Sequence, residues 1–200
     1  MIIWPRAYRL HGETKKALLS YDENLKQLRN DGYQRHLRPA EAFSILTGGL
    51  EGRLTTDFKQ VYNDMFTGYG EWLNMAMERQ GDKLITYLDP EGLVWDGAQY
   101  VKEPGFKYEE RKEFDVTGKA SQTHIDLKLF DKQLVRYVYG RTFADLPSEM
   151  KEGDKRAQVY LPAEGMVRPV GRGVIVNWLI SVSVFFGSVR GVAVVSGAKK

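Results

Sequence analysis

The chain has 200 residues, with 29 Lys and Arg against 26 Asp and Glu, a net charge of +3 and 42% hydrophobic residues. This composition excludes an intrinsically disordered chain, and the small net charge excludes a protein that is basic over its whole surface. The absence of cysteine excludes a disulfide scaffold, a thiolate metal site and a cysteine nucleophile. The three histidines are too few and too scattered for a histidine-rich zinc site, although carboxylates could still bind a hard cation. We expect neither a metal nor a cofactor.

Residues 1–81 carry apolar side chains at spacings of three and four, which predict amphipathic helices. Start signals at Thr14, Pro39 and Thr55 are each followed by such a pattern. Glycines interrupt the third segment, and the pattern then resumes through residues 72–77. We therefore predict three or four helices packed as a small bundle.

From residue 83 onward the period shortens toward two, which predicts strands. Residues 84–88, 93–95 and 99–101 are separated by two turn signals, Asp89-Pro90-Glu91-Gly92 and Asp96-Gly97. This arrangement predicts a three-stranded meander. Further strands are predicted over residues 123–130, 134–139 and 158–161.

Helices first and strands later indicate the α+β class, an N-terminal helical bundle followed by an antiparallel β meander or sheet. The change of period places the boundary between a helical unit, 1–81, and a β-rich unit, 82–200. The two units are expected either to form separate domains or to share one core.

The last part of the β-rich unit, residues 165–200, combines basic and apolar character. Residues 173–189 carry no charge, and β-branched side chains alternate along them before Gly187-Ser188. The alternation predicts a buried C-terminal hairpin. A membrane-inserted helix over 173–189 stays open as an alternative, because 17 helical residues would reach about 25 Å, close to the thickness of the hydrocarbon core of a bilayer. An unpacked tail is the other alternative.

The net charge of residues 165–200 is +5, since this segment contains no acid. Arg168, Arg172 and Arg190 flank the apolar stretch, where they are candidates for contact with nucleic-acid phosphates or with anionic lipid. Arg35 and Arg38 form a second basic corner beside a predicted helix end. Cations also stabilise a helix C-terminus without any ligand, so both interpretations stay open.

The glycine-rich segment 48–53 ends in Arg53 and precedes a predicted helix, a position at which backbone N–H groups can bind a phosphate. It lacks the Gly-Lys-Ser/Thr ending of a phosphate-binding loop, so a simple linker between helices is the alternative.

His124 and Asp126 alternate on one predicted strand, which places an imidazole and a carboxylate on the same face. With Ser121 and Thr123 nearby, this arrangement is a candidate hydrolase site. Polar residues also alternate on any half-exposed strand, and catalytic triads are assembled from distant segments.

Two further groups are candidate surfaces. Tyr87, Trp95 and Tyr100 lie around the meander, where they predict an aromatic binding face or a set of core anchors. The acids of segment 109–115 are interleaved with lysine and arginine, which favours a solvated ribbon over a metal site.

The expected function is that of a non-enzymatic binding or structural protein that uses the β unit and the basic C-terminal segment. A hydrolase centred on His124 and Asp126, and a membrane-associated protein anchored by 173–189, are the alternatives. The partner is expected to be a protein or a nucleic acid, with membrane contact as the alternative. No secretory signal is apparent, so a cytoplasmic location is expected.

Overall fold

A computed structural model describes most of the chain and shows a mixed α+β fold. The described residues are 2–3, 20–30, 32–56, 59, 62–63, 71–116, 124–126, 132–148, 151, 158–172, 179–181 and 191–194.

Three helices have both ends within these residues: α1 (Tyr21–Asn30), α2 (Pro39–Leu50) and α3 (Lys132–Tyr139). Residues 56, 59 and 62–63 are also helical, as predicted after Thr55. Helix α1 is described from Tyr21, and just before it the Glu23 carboxylate accepts hydrogen bonds from the backbone N–H and the hydroxyl of Ser20, of which the backbone contact is one half of a capping box. The predicted start at Thr14 stays a prediction. Residue 14 lies outside the described residues.

Helix α3 corrects the strand predicted over residues 134–139. The buried side chains of this segment are Leu134, Val135, Val138 and Tyr139. These positions form two adjacent pairs four residues apart, so the four side chains lie on a single face of the helix. The β-branched and aromatic composition suggested a strand, and the tertiary packing of this face overrides that preference.

The strands are β1 (Ile2–Ile3), β2 (Arg35–His36), β3 (Glu71–Gln80), β4 (Lys83–Leu88), β5 (Glu91–Trp95), β6 (Tyr100–Lys107), β7 (Glu110–Asp115), β8 (His124–Asp126), β9 (Gln158–Tyr160), β10 (Val167–Arg172), β11 (Leu179–Ser181) and β12 (Gly191–Val194). Seven of them form one sheet in the order β7-β4-β3-β10-β11-β9-β8, in which only the β11–β9 pair is parallel. The described strands also form a three-stranded sheet, β1-β12-β2, and a two-stranded sheet, β5-β6.

Strand β3 is the main correction to the predicted helices, since residues 72–77 are extended. Leu73, Met75 and Met77 pack against α2 and α3, whereas Trp72 and Ala76 pack against α1. The sequence of a strand that is buried on both faces is a continuous run of apolar residues, and such a run is also compatible with a buried helix. Residues 71–80 are therefore part of the sheet, and the domain boundary at residue 81 stays a prediction.

The sheet separates two hydrophobic cores. The α2–α3 core contains the buried side chains of α2 and α3 with one face of β3 and β4, including Phe43 and Leu84. The α1 core contains Leu25 and Leu28 of α1 with the opposite face of β3 and β4 and part of the β5–β6 hairpin. Because α1 and α2 lie in different cores, the predicted N-terminal helical bundle is not confirmed among the described helices.

The predicted meander has the right strands and a different pairing. Strand β4 pairs with β3 and β7, while β5 pairs with β6. The pair Glu91↔Lys107 continues the antiparallel register of the pair Leu88↔Glu110, so the β5–β6 ladder extends the β4–β7 ladder. The segment is thus a long two-stranded ribbon that bends at Asp89-Pro90. The predicted turn at Asp96-Gly97 is its tip, where Asp96 accepts two backbone hydrogen bonds of 2.8 Å.

The C-terminal segment contributes strands to two sheets. Strand β11 pairs with β10 and β9, and β12 pairs with β1 and β2. Residues 179–181 are therefore extended and not helical, whereas 173–178 and 182–190 lie outside the described residues. Residues 179–181 and 191–194 are the described parts of the two arms of the predicted C-terminal hairpin, and they pair with other strands and not with each other. No described helix combines the length and the apolar character needed to cross a bilayer.

Candidate ligand pocket at the Asp89 bend

The bend of the ribbon places Asp89 at the centre of a polar cluster. Asp89 has a φ of 50°, a left-handed conformation that aspartate tolerates better than most residues do. Its backbone N–H donates to the Asn74 carbonyl oxygen at 3.2 Å. Strained backbone of this kind occurs preferentially at functional sites, which marks the bend as a candidate.

The Asp89 carboxylate is held by donors from two other elements. Arg38, just before α2, donates through Nε at 3.1 Å and also through Nη2, and the Asn74 side-chain amide of β3 donates to Oδ1. Burial raises the pKa of Asp89, but the hydrogen bonds from Arg38 and Glu109 and the charges of Arg38 and Arg35 outweigh this effect and hold the pKa below its usual value. The carboxylate is therefore ionised at neutral pH.

Glu109, between β6 and β7, completes the outer side of the cluster. In its protonated form Glu109 can donate a hydrogen bond to Asp89, which raises the pKa of Glu109, and as a carboxylate it accepts from Arg38 Nη2. One guanidinium thus bridges two carboxyl groups and joins the start of α2 to both edges of the bend.

A buried chain of hydrogen bonds supports the cluster from below. The Tyr21 hydroxyl of α1 donates to Asn74 Oδ1 at 3.0 Å, and the Tyr21 backbone N–H donates to the Tyr100 hydroxyl at 3.0 Å. Burial raises the pKa of Tyr100 to about 12 and that of Tyr21 still further. Both hydroxyls therefore stay protonated and act as fixed donors and acceptors.

Arg35 of β2 is fixed beside Asp89. Its two terminal nitrogens each donate to Glu41 at 2.8 Å, and Nη1 also donates to the His36 carbonyl oxygen at 3.0 Å. Its Nε lies 4.0 Å from Asp89 Oδ2, which is too long for a hydrogen bond. Arg35 therefore contributes positive charge near Asp89 in a fixed orientation.

These groups surround an open pocket of about 150 Å³, which we call the Asp89 pocket. Its polar lining is Arg29, Gln34, Arg35, Asn74, Asp89 and Glu91, and Leu25 and Pro90 supply an apolar wall. Arg29 pairs with Glu91 across the pocket, and their side chains are 49% and 52% exposed. By contrast, Arg35 and Asp89 are 19% and 18% exposed. The pocket thus combines charged groups that are hydrogen-bonded within the fold with a half-exposed ion pair.

The predicted basic corner is occupied by internal ion pairs. Arg35 and Arg38 bind Glu41, Asp89 and Glu109, as described above. Arg53 contacts Glu51, which also binds Arg141 at 2.6 Å. Three of the predicted phosphate contacts are therefore already matched by carboxylates, which weakens the case for a polyanion at these positions.

The first two glycines of the glycine-rich segment 48–53 have a packing role. Gly48 and Gly49 continue α2 to Leu50, and a Cβ on Gly49 would lie 2.1 Å from the Tyr62 ring. Glycine at this position permits the close approach of the aromatic ring. Residues 48–50 are thus helical, and the backbone N–H groups of residues 51–53, which form the turn after them, donate to carbonyl oxygens of α2.

The other predicted site residues are dispersed over the fold. His124 and Asp126 occupy β8 at the sheet edge, opposite Tyr160 and Gln158 of β9, and their side chains lie outside the description. Arg168 lies on β10 opposite Met77, and Arg172 ends that strand opposite Glu71. Arg190 lies outside the described residues. The hydrolase hypothesis and the basic tail hypothesis both stay predictions.

The predicted aromatic residues divide between two contacts inside the α1 core. Tyr100 packs on Trp95 with ring centroids 5.2 Å apart, and Tyr87 packs on Phe106 at the same distance. Tyr87 and Tyr100 are each only 4% exposed. Tyr87 and Tyr100 are therefore part of the core, Trp95 is partly buried against it, and the aromatic binding face stays a prediction.

Beside Tyr87 lies a second polar group, in which Glu78 is buried and the Lys102 side chain is 30% exposed. The Lys102 ammonium donates to the Tyr87 hydroxyl at 2.9 Å and to Glu78, and it lies 4.6 Å from the Tyr87 ring centroid. Burial raises the pKa of Glu78, but hydrogen bonds from Lys102 and Tyr87 outweigh it, so the pKa is lowered. The pKa values of Lys102 and Tyr87 are both raised, which leaves neither group activated as a nucleophile.

The acids of segment 109–115 form ion pairs along the ribbon. Glu110 pairs with Lys112 at 3.0 Å, Glu113 with Arg111 at 2.5 Å, and Asp115 with Lys83 at 3.7 Å. Within the described part of the chain, no three histidine or acidic side chains converge as metal ligands would.

Sequence reasoning missed Asn74, Asp89 and Glu91 as site residues. Asn74 is a single polar residue inside the apolar run of residues 72–77, and a buried amide needs a partner. Asp89 and Glu91 lie in the Asp-Pro-Glu-Gly turn, which accounted for them without any ligand. These two signals were available, but nothing in the sequence related one to the other.

In comparisons with protein-family models, with curated proteins and with solved structures, the chain matched none.

Proposed function

We propose that this protein is a non-catalytic binding protein and that the Asp89 pocket is its ligand site. The supporting observation is the pocket itself, in which charges of both signs are held around an open volume by a buried network. Concave sites with a few fixed polar groups are the usual location of small-ligand binding.

The titration behaviour of the described groups favours binding over acid–base catalysis. A general acid or base works best with a pKa near the operating pH. Burial lowers the pKa of His36 to about 3, and the pKa values of Tyr21, Tyr100 and Lys102 are raised above their ordinary values. These four shifts lead away from neutral pH, and Glu109, whose raised pKa moves toward it, is the exception in the cluster.

The basic C-terminal segment is proposed as a second contact, with a partner that carries phosphate or carboxylate groups. The charge of +5 on residues 165–200 supports this proposal. A protein or a nucleic acid would both satisfy this chemistry, and phosphate contacts would weaken steeply with added salt.

The ligand site is tested by screening small charged compounds against isotope-labelled protein. We expect at least one compound to shift the backbone amide signals of Arg35, Asn74 and Asp89 in a saturable way. Glu113→Gln, which opens a comparably exposed pair with Arg111 on β7, should leave that binding unchanged. If no compound shifts these signals, the Asp89 pocket is not a ligand site.

A further inference from the structure

We infer that the Asp89 pocket binds a small α-amino acid as a zwitterion, by insertion between Arg29 and Glu91. This inference rests on the proposed function and specifies its ligand class. Arg29 would receive the carboxylate, and Glu91 would receive the ammonium group.

The charge of the lining favours a ligand that carries both signs. Arg29 and Arg35 are cationic, Asp89 and Glu91 are anionic, and the four together are neutral. A ligand with only negative charge would face the two carboxylates, and a cation would face the two guanidinium groups. A neutral ligand with separated charges matches both pairs.

The Arg29–Glu91 pair is suited to opening. Both side chains are about half exposed, and exposed ion pairs contribute little to stability. Their separation reduces affinity by about fivefold or less, and each partner then regains a hydrogen-bonded ion pair with the ligand. Arg35 and Arg38, in contrast, are bound to inner carboxylates and stay in place.

The size of the pocket restricts the ligand further. Pockets for drug-sized molecules typically have about 300–1,000 Å³. The Asp89 pocket has about 150 Å³, which suits a molecule with only a few heavy atoms. Leu25 and Pro90 are buried along its wall and offer contact to a short aliphatic side chain.

The test titrates the full chain with L-alanine, acetate or methylammonium and follows the backbone amide NMR signals. Acetate and methylammonium each carry one of the two charges of L-alanine. We expect L-alanine to bind at least about tenfold more tightly than either half. Glycine betaine, which has no N–H donors, should bind more weakly than L-alanine. Acetate binding as tightly as L-alanine would overturn the zwitterion inference while leaving the proposed ligand site intact.

Two variants assign the two ends of the ligand. Glu91→Gln should weaken L-alanine about tenfold and strengthen acetate by about fivefold or less, because Arg29 is then freed from its partner, whereas Arg29→Gln should weaken both. Both positions are half exposed, so these variants should fold, and Glu113→Gln serves as the matched control. Unchanged affinity for L-alanine in both variants would overturn the inference. The absence of pocket signals with every compound would instead overturn the proposed function.

Discussion

Asp89 accepts a hydrogen bond from Arg38 Nε at 3.1 Å, and this contact ties the start of α2 to the bend between β4 and β5. The two residues are 51 positions apart in the chain. Helix α2 packs on one face of the sheet, and the β5–β6 hairpin packs on the other with α1. The pair therefore links the two cores around the pocket.

Replacing Asp89 with asparagine should destabilise the protein by about 2 kcal/mol, because hydrogen bonds to charged groups contribute about that much and Arg38 loses its main partner. Asparagine tolerates the left-handed backbone, so this variant removes the charge without adding strain. Urea denaturation measures the change. Asp115→Asn, which opens an exposed pair with Lys83, should change stability by less than about 1 kcal/mol. Equal effects of the two variants would contradict the role given to Asp89.

His36 should make stability depend on pH. It is fully buried, its two ring nitrogens have no hydrogen-bond partner among the described residues, and burial, with a smaller contribution from Arg29, lowers its pKa from 6.5 to about 3. The unfolded chain therefore binds one more proton between these pH values. Stability that is present above pH 6.5 is lost as the pH falls toward 3, with a slope of up to about 1.4 kcal/mol per pH unit.

The comparison with His36→Phe isolates this contribution, because phenylalanine does not titrate. Denaturation midpoints of both proteins are compared between pH 6.5 and 5, above the range in which the lowered pKa of Asp89 acts. The His36→Phe variant should show the flatter profile. Parallel profiles would show that His36 does not account for the slope.

Gly49→Ala should destabilise the protein by about 1–3 kcal/mol, although alanine normally stabilises a helix interior. The added Cβ would meet the Tyr62 ring at 2.1 Å. Gly48→Ala is the matched control, because its Cβ would meet only the flexible end of Leu54 at 2.8 Å. Thermal denaturation should show a smaller loss of stability for Gly48→Ala than for Gly49→Ala. In the Gly49→Ala/Tyr62→Ala double variant the two losses should be less than additive.

Tyr21→Phe should cost about 1–2 kcal/mol, since it leaves Asn74 Oδ1 without its 3.0 Å donor inside the fold. Urea denaturation gives the value. Tyr108→Phe removes a hydroxyl from a residue that is 45% exposed, and it should have an effect of less than about 0.5 kcal/mol. An equally small effect of Tyr21→Phe would show that the buried chain beneath Asp89 is not energetically significant.

Lys102→Met should destabilise the protein by about 2 kcal/mol, because Glu78 would keep a largely buried charge without its cation. The pKa of Glu78 should then rise, and NMR titration detects this directly. Lys83→Met opens the exposed pair with Asp115 and should have little effect. Adding Glu78→Gln to Lys102→Met should recover part of the lost stability.

Several elements could be read from local sequence because their signals are local. The helix beginning at Pro39, the strands of residues 84–88 and 93–95 and the turn at Asp96-Gly97 are confirmed. In each of them a turn residue or a period of two agreed with the final packing. The mixed α+β class follows from the same signals.

Strand β3 and helix α3 were assigned the wrong type because their periodicity was ambiguous. Burial of β3 on both faces removed the alternation that marks a strand, and α3 is a short segment rich in residues that favour strands. In both segments the neighbouring elements determined the outcome.

By itself, the sequence determined the mixed class, the positions of many strands and the location of the net positive charge. The tertiary structure decided which charges are already paired and which residues form the pocket. Arg35 and Arg38 are a basic corner in the sequence, but the fold places Glu41, Asp89 and Glu109 against them. Residues as distant as Arg38, Asn74 and Asp89 meet only because the sheet and the bend bring them together, and no local pattern encodes that contact.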